Sequence, residues 1–432
     1  MDTTLGISTG TALLQPFFPV FTAPGAPIFL ALATGWILCT GRRTITGILP
    51  LADPKGQHAH DAFHRFWPDA RGDRDALWKL LTVLLVHVFA APGVIEVDRD
   101  DTLFPRGGRK VRGAGGWREA VRSTRTQTVS AWGLNLVVLT LRVTPPWGGE
   151  PRGLPILLRR HRQGGDSLID RAEAMLPPGA GWRPERAFRR HADGFHAPLA
   201  GRSLVRIHLI SRMRRAANLY EPLPATRGQK KSGRPRKKGR RLSTPPQMTR
   251  HVRSWRSVTT VERGQVRKRR IYARRVLWYH VCKTPMRLVI RRDPEGKEHD
   301  DFFFTTDPSL TPEPVIGGCA GRGSIEDTFK NTKQFLGGQE PPTWKGQGPE
   351  RAALLRLWWS SVVGLWYRSE EGRGGKVKIR PWYPQKVPPG FPEALASLRR
   401  HRWSQRILSM FGKRLGHDQK IEVLLEALSK AA

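Results

Sequence analysis

The sequence predicts an α/β protein with a helical N-terminal part, a β-rich insertion and a helical C-terminal tail. Three features carry that reading. The first 90 residues are basic and helical in pattern. From Val94 the pattern changes to β-branched runs of period two, alternating further on with helical stretches. Residues 222–261 then contain no acidic residue, and further strand-like segments lead from there back to helix.

The elements follow in order. Residues 28–38 form one apolar stretch, and GRRTIT at 41–46 reads as a turn into another helix. Residues 74–90, RDALWKLLTVLLVHVFA, are apolar around most of a helical circumference, which suits a buried helix. A small bundle with helix-turn-helix geometry is expected over 1–90, as a DNA-binding domain. Strands are expected at 94–98, leading into Asp100-Asp101-Thr102, and at 135–143, where Pro145-Pro146 stops the run. A helix at 167–176 with Ser167 as its cap, a strand at 187–192 ending in Asp193-Gly194, and a strand at 205–211 complete the first half of the core, 91–211.

Residues 212–310 hold the basic linker and the β-rich insertion. The linker contains RGQKKSGRPRKKGRR at 227–241, whose Gly233-Arg234-Pro235 resembles the centre of an AT-hook. Arg234, Arg236, Lys237 and Lys238 are its candidate DNA contacts. Strands are expected at 257–261, 270–279, 286–291 and 301–305. Residues 311–369 return to helix: one at 311–336, capped by Ser324 and stopped by Gly337-Gly338, and one opened by Pro349. Residues 370–432 form a Gly/Pro-rich linker and a helical tail.

Charge narrows the partner. The 74 Lys and Arg against 36 Asp and Glu leave +38 on 432 residues. That excess has no use in an enzyme of small neutral metabolites and points to a polyanion, above all nucleic acid. With 39% hydrophobic residues and 15 Trp the chain can bury a core, which excludes wholesale disorder. Three dispersed cysteines fit neither a metal motif nor a secreted disulfide framework. The longest apolar run, about 27–39, falls short of the ~20 residues of a membrane span, so a cytoplasmic protein is expected.

In so basic a chain the acids near strand ends and helix starts attract attention. Asp101, Asp193 and Glu326 sit on separate elements and could converge at one sheet edge. Three carboxylates there would supply hard oxygen ligands to two Mg²⁺ ions, which act on phosphodiesters from about 3.5–4 Å apart. Taken singly, each acid also reads as an ordinary turn or helix-start residue. His58, His60 and His64 read better as a solvated helix face than as a metal site, and Trp358, Trp359 and Trp366 better as core than as base-stacking platforms.

Cys319-x-x-Arg322-x-x-x-Glu326-x6-Lys333 resembles the Tyr-Arg-Glu-Lys motif of DDE transposases from bacterial insertion sequences. The blocks DDTLFPRGGRKVRGAG around Asp101, AFRRHADGFHAPLAGR around Asp193 and DDFFFTTDPSLTPE before the Glu326 helix are similar to that family in order. The resemblance implies an RNase H-like mixed sheet interrupted by the insertion, for which the 133 residues from Asp193 to Glu326 (326 − 193) leave room. It implies Asp101, Asp193 and Glu326 as catalytic, metal-binding residues, with Asp100 as rival for the first position, and two Mg²⁺ or Mn²⁺ ions. It implies Arg322 and Lys333 as DNA contacts, transposon ends and target DNA as partners, a dimer on DNA, and a nucleoid-associated location in a bacterium. The chain departs from the motif at Cys319, where the family has Tyr, and at Gly321 and Gly323, where it has bulkier residues. Two rival readings are a catalytically inactive DNA-binding descendant and an RNA-binding basic protein.

Overall fold

The computed structural model describes residues 13–89, 94–106, 108, 111–119, 122–124, 126–162, 164, 193–198, 208–223, 236–340, 343–370, 381–386, 388–411 and 424. The expected helix at 167–176, the strand at 187–192, Arg234, and residues 412–423 of the expected tail lie outside them.

The N-terminal part opens with a 3-10 turn at Gln15–Val20. Four helices follow: α1 (Gly25–Leu38), α2 (Ile45–Ala52), α3 (His60–Asp69) and α4 (Arg74–Phe89). Thr44 caps α2 by accepting the Gly47 N–H at 3.0 Å. These helices share one apolar core with the sheet and with α8 (Gly348–Glu370): Phe17, Phe29, Trp36 and Trp67 are buried in the same cluster as Val138, Leu158, Trp358 and Trp366. The Phe17 ring meets Trp358 edge-on at 4.8 Å. All three tryptophans 358, 359 and 366 are buried, as core packing requires.

Among the described residues ten strands form one sheet: β1 (Val94–Pro105), β2 (Gly115–Arg118), β3 (Ser130–Val143), β4 (Arg152–His161), β5 (Asp193–Pro198), β6 (His208–Arg212), β7 (Arg256–Glu262), β8 (Gln265–Val276), β9 (Met286–Arg292) and β10 (Asp301–Thr305). Their order is β2-β3-β1-β5-β6-β10-β9-β8-β7, with β4 also on β3. The insertion strands therefore extend the core sheet. Each described pairing is antiparallel, β1 with β5 included, so the mixed sheet implied by the resemblance is not seen among them. The β4 sequence RGLPILLRRH gave no expectation of a strand. Its apolar residues run consecutively because both faces are covered, which removes the period-two signal. A short helix, α5 (Pro245–His251), is closed by a capping box between Thr244 and Gln247.

The helix expected over 311–336 is two, α6 (Pro312–Gly321) and α7 (Gly323–Phe335), joined at Arg322. Ser324 does not cap α7; it lies inside the first turn. α6 covers the insertion half of the sheet, where Val315 and Ile316 pack on Ile210, Ile271, Val289 and Phe303. α7 covers β1 and β4, with Ile325 and Phe329 buried. Gly153 on β4 permits that approach: a Cβ there would stand 3.0 Å from the Thr140 hydroxyl and 3.3 Å from the Ile325 backbone. Thr328 then donates its hydroxyl to the Gly153 carbonyl at 2.6 Å. The expected tail contains α9 (Phe391–Phe411), which docks on α1 and α8 through Ala394, Leu395 and Leu398. Among the described residues no helix is long and apolar enough to cross a membrane.

Candidate active site

Alternation along β1 sorts its side chains between two faces. Glu96, Asp98, Asp100, Thr102 and Phe104 share the face covered by α7, and Arg99, Asp101 and Leu103 share the other. The expected strand ended before Asp100; in the structure Asp100 and Asp101 lie within β1 and diverge.

Asp98 anchors the site. It is fully buried, and Arg142 on β3 binds both its oxygens, with Nε donating to Oδ2 at 2.8 Å. Arg142 also reaches Glu96 at 3.2 Å. Burial works against the Arg142 charge, but Asp98 and Glu96 outweigh it and hold the guanidinium above its usual range. Ser324 donates its hydroxyl to Asp98 Oδ2 at 3.1 Å. A Cβ on Gly321 would stand 3.1–3.3 Å from the Arg142 guanidinium, so this glycine leaves room for the group that holds Asp98.

Asp100 lies beside α7. Burial pushes its carboxyl up to about 7; the charges of Asp101 and Glu326 add to the rise, and Arg322 and the Asp101 N–H oppose it. The Asp101 N–H donates to Asp100 Oδ1 at 2.9 Å. The Asp101 side chain is exposed and accepts from Asn135 Nδ2 at 3.1 Å. Arg322, at the joint of α6 and α7, donates from Nη2 to Glu326 Oε1 at 2.6 Å, and the Glu326 side chain remains 51% exposed. Lys333 lies seven residues beyond Glu326, its ammonium 5.7 Å from the centre of the Phe104 ring. Burial lowers its pKa, against the pull of Glu119 and Asp101.

The structure thus brings Asp100, Asp101, Arg322 and Glu326 into one electrostatic neighbourhood. Asp193 opens β5, registered opposite Arg99, and its side chain lies outside the described residues. Among the described residues no group of three His, Cys, Asp or Glu could hold a metal ion. The donors at Asp100 and Glu326 are hard carboxylate oxygens, the chemistry that suits Mg²⁺ or Mn²⁺. The His60 and His64 rings lie 4.7 Å apart, far along the chain from these acids.

Of the basic candidates, Arg236 and Lys237 are exposed, while Lys238 sits over the Tyr220 and Tyr279 rings at 4.2 and 5.3 Å. Sequence reasoning missed Asp98 and Arg142. The signal for Asp98 was present: acids at 96, 98 and 100 alternate along one strand face.

Residues 16–151 match the family profile described as DDE superfamily endonuclease. That match supports a DDE-type transposase or endonuclease. It takes in the N-terminal helices, β1 and β3, and ends before Asp193 and Glu326. DDE superfamily members generally use divalent metal ions. No curated protein matches the chain.

Proposed function

We propose that the protein is a DDE transposase that cuts DNA at the ends of a mobile element and joins the freed 3′ end to target DNA. The observation that carries this reading is the position of Asp100 on β1 under the charges of Glu326 and Arg322 on the α7 side, in a chain of net charge +38. Asp100, Asp193 and Glu326 would hold two Mg²⁺ or Mn²⁺ ions. Asp100 is preferred to Asp101 because it shares the Asp98 face of β1. When bound, such ions activate water or a 3′-hydroxyl and stabilise the leaving oxygen of a phosphodiester.

The chain's own residues do the rest. Arg142 and Ser324 fix Asp98, and so the distance between β1 and α7. Arg322 neutralises Glu326 in the DNA-free protein and would turn one donor face to a phosphate when DNA arrives. Lys333 would contact the same strand further along α7. The exposed Arg236 and Lys237 would bind the backbone without reading sequence. Bringing two element ends together favours a dimer on DNA.

The test uses a plasmid carrying the reading frame and its flanking DNA, incubated with Mg²⁺. Wild-type protein should nick the flanks. Glu326→Gln should not, and should keep its DNA affinity. Tight binding by wild type without metal-dependent nicking would favour the inactive DNA-binding descendant. Preference for structured RNA over duplex DNA would favour the RNA-binding reading.

A further inference from the structure

We propose that Arg263, at the tip of the β7–β8 hairpin, is a second phosphate-binding residue of the active site, paired with Arg322. The inference rests on the DNA-cutting reading above and adds to it a role for the insertion: the insertion delivers a cation to the start of α7.

The hairpin closes through Arg263-Gly264, both in the left-handed region, at φ 52° and 73°. Two such residues make the tight turn whose twist matches the strands, and Asn-Gly is its favoured sequence. An arginine at the first position is therefore unfavourable for the backbone, and the turn alone does not explain it. The tip is held rigidly. Glu262, just before it, is buried and receives Arg269 Nε at 2.8 Å, Arg291 Nη1 at 2.7 Å and the Thr260 hydroxyl at 2.9 Å. Arg256 pairs with Glu313 and ties β7 to α6. A Cβ on Gly317 of α6 would stand 3.3 Å from the Val261 carbonyl, which shows how closely hairpin and helix approach.

This frame sets the Arg263 guanidinium at the α6–α7 joint. A Cβ on Gly323 would lie 3.7 Å from its Nε and 3.8 Å from its Nη2. Gly323 immediately follows Arg322 and precedes Glu326 by three residues. Arg263 is exposed, and among the described residues no carboxylate pairs with it. Two guanidinium groups from different elements therefore flank the start of α7, and one of them, Arg322, already holds Glu326. A DNA strand laid there would place successive phosphates between them.

Arg263→Asn isolates the charge, because asparagine tolerates the left-handed turn and should leave the melting temperature unchanged or higher. The probe is a mixed-sequence linear DNA duplex, with binding measured against salt. Wild type and Arg263→Lys should show similar slopes of log affinity against log salt. Arg263→Asn should lose about 0.9 from the slope and about tenfold in affinity. Combined with Arg322→Ala, the slope loss should reach about 1.8, roughly 0.9 for each of two phosphates. An unchanged slope in Arg263→Asn, a double variant whose slope is no flatter than that of Arg322→Ala alone, or a lower melting temperature would overturn the proposal. These readouts need no cleavage, so they remain decisive even if Glu326→Gln shows the nuclease reading to be wrong.

Discussion

Ser324 on α7 donates its hydroxyl to Asp98 on β1 at 3.1 Å, across 226 residues of chain. Asp100 and Glu326 each lie two residues beyond this tie, so it sets their separation. Asp98 also balances the buried charge of Arg142, which is 5% exposed. Asp98→Ala leaves that guanidinium without its main partner and should cost about 3–5 kcal/mol. Ser324→Ala should cost about 1 kcal/mol. Denaturant unfolding measures both; a loss within about 0.5 kcal/mol of zero for Asp98→Ala would show that the tie is not structural.

Asp100 and Asp101 are separable by stability as well as activity. The fold favours the protonated form of Asp100. Its stabilising contribution is therefore complete below the ordinary value of 3.8 and is lost as pH rises through about 7. In metal-free protein Asp100→Asn should raise the melting temperature at pH 8 and change it little at pH 4. Mg²⁺ should raise the wild-type melting temperature at pH 8, and much less in Asp100→Asn. If Asp101→Asn, and not Asp100→Asn, removes the Mg²⁺ effect and the cleavage, Asp101 is the β1 ligand.

Gly153 should accept no side chain. Gly153→Val would force α7 away from β1 and β4, through Thr140 and Ile325. A destabilisation of about 1–3 kcal/mol is expected, with loss of cleavage and little change in DNA affinity at high protein concentration. Wild-type cleavage in a stably folded Gly153→Val would mean that the seat of α7 on the sheet is not what positions Glu326.

The basic linker should act unequally. Arg236 and Lys237 are exposed, whereas Lys238 is engaged with two tyrosine rings. Neutralising Arg236 and Lys237 together should flatten the salt slope of duplex binding by about 1.8, roughly 0.9 for each phosphate contact. Lys238→Gln should change it less. An equal effect at all three positions would show that the tyrosines do not hold Lys238 back from DNA.

Arg356 is fully buried and donates to the Gly338 and Glu340 carbonyls of the loop after α7. Burial lowers its pKa well below the usual arginine range. Arg356→Ala leaves those carbonyls unpaired and a cavity behind, and should destabilise by about 3–5 kcal/mol in thermal or chemical unfolding. Near-wild-type stability would show that water replaces the guanidinium there.

By itself the sequence determined the excess of positive charge, the helical start, the insertion strands at 256–305 and the acidic and basic residues of 319–333, because charge and periodicity are local properties of a chain. Only the tertiary structure decided what those residues meet. Period two put Asp98 and Asp100 on one face, but nothing local shows that α7 covers that face and not the one bearing Asp101. The strand β4 was hidden because burial on both sides erases alternation. The break at Arg322 was hidden because it comes from α6 and α7 packing on different parts of one sheet. Arg142, Ser324 and Arg263 were equally hidden, since their partners Asp98 and Gly323 lie 44 to 226 residues away, and contacts over such separations exist only once the sheet has formed.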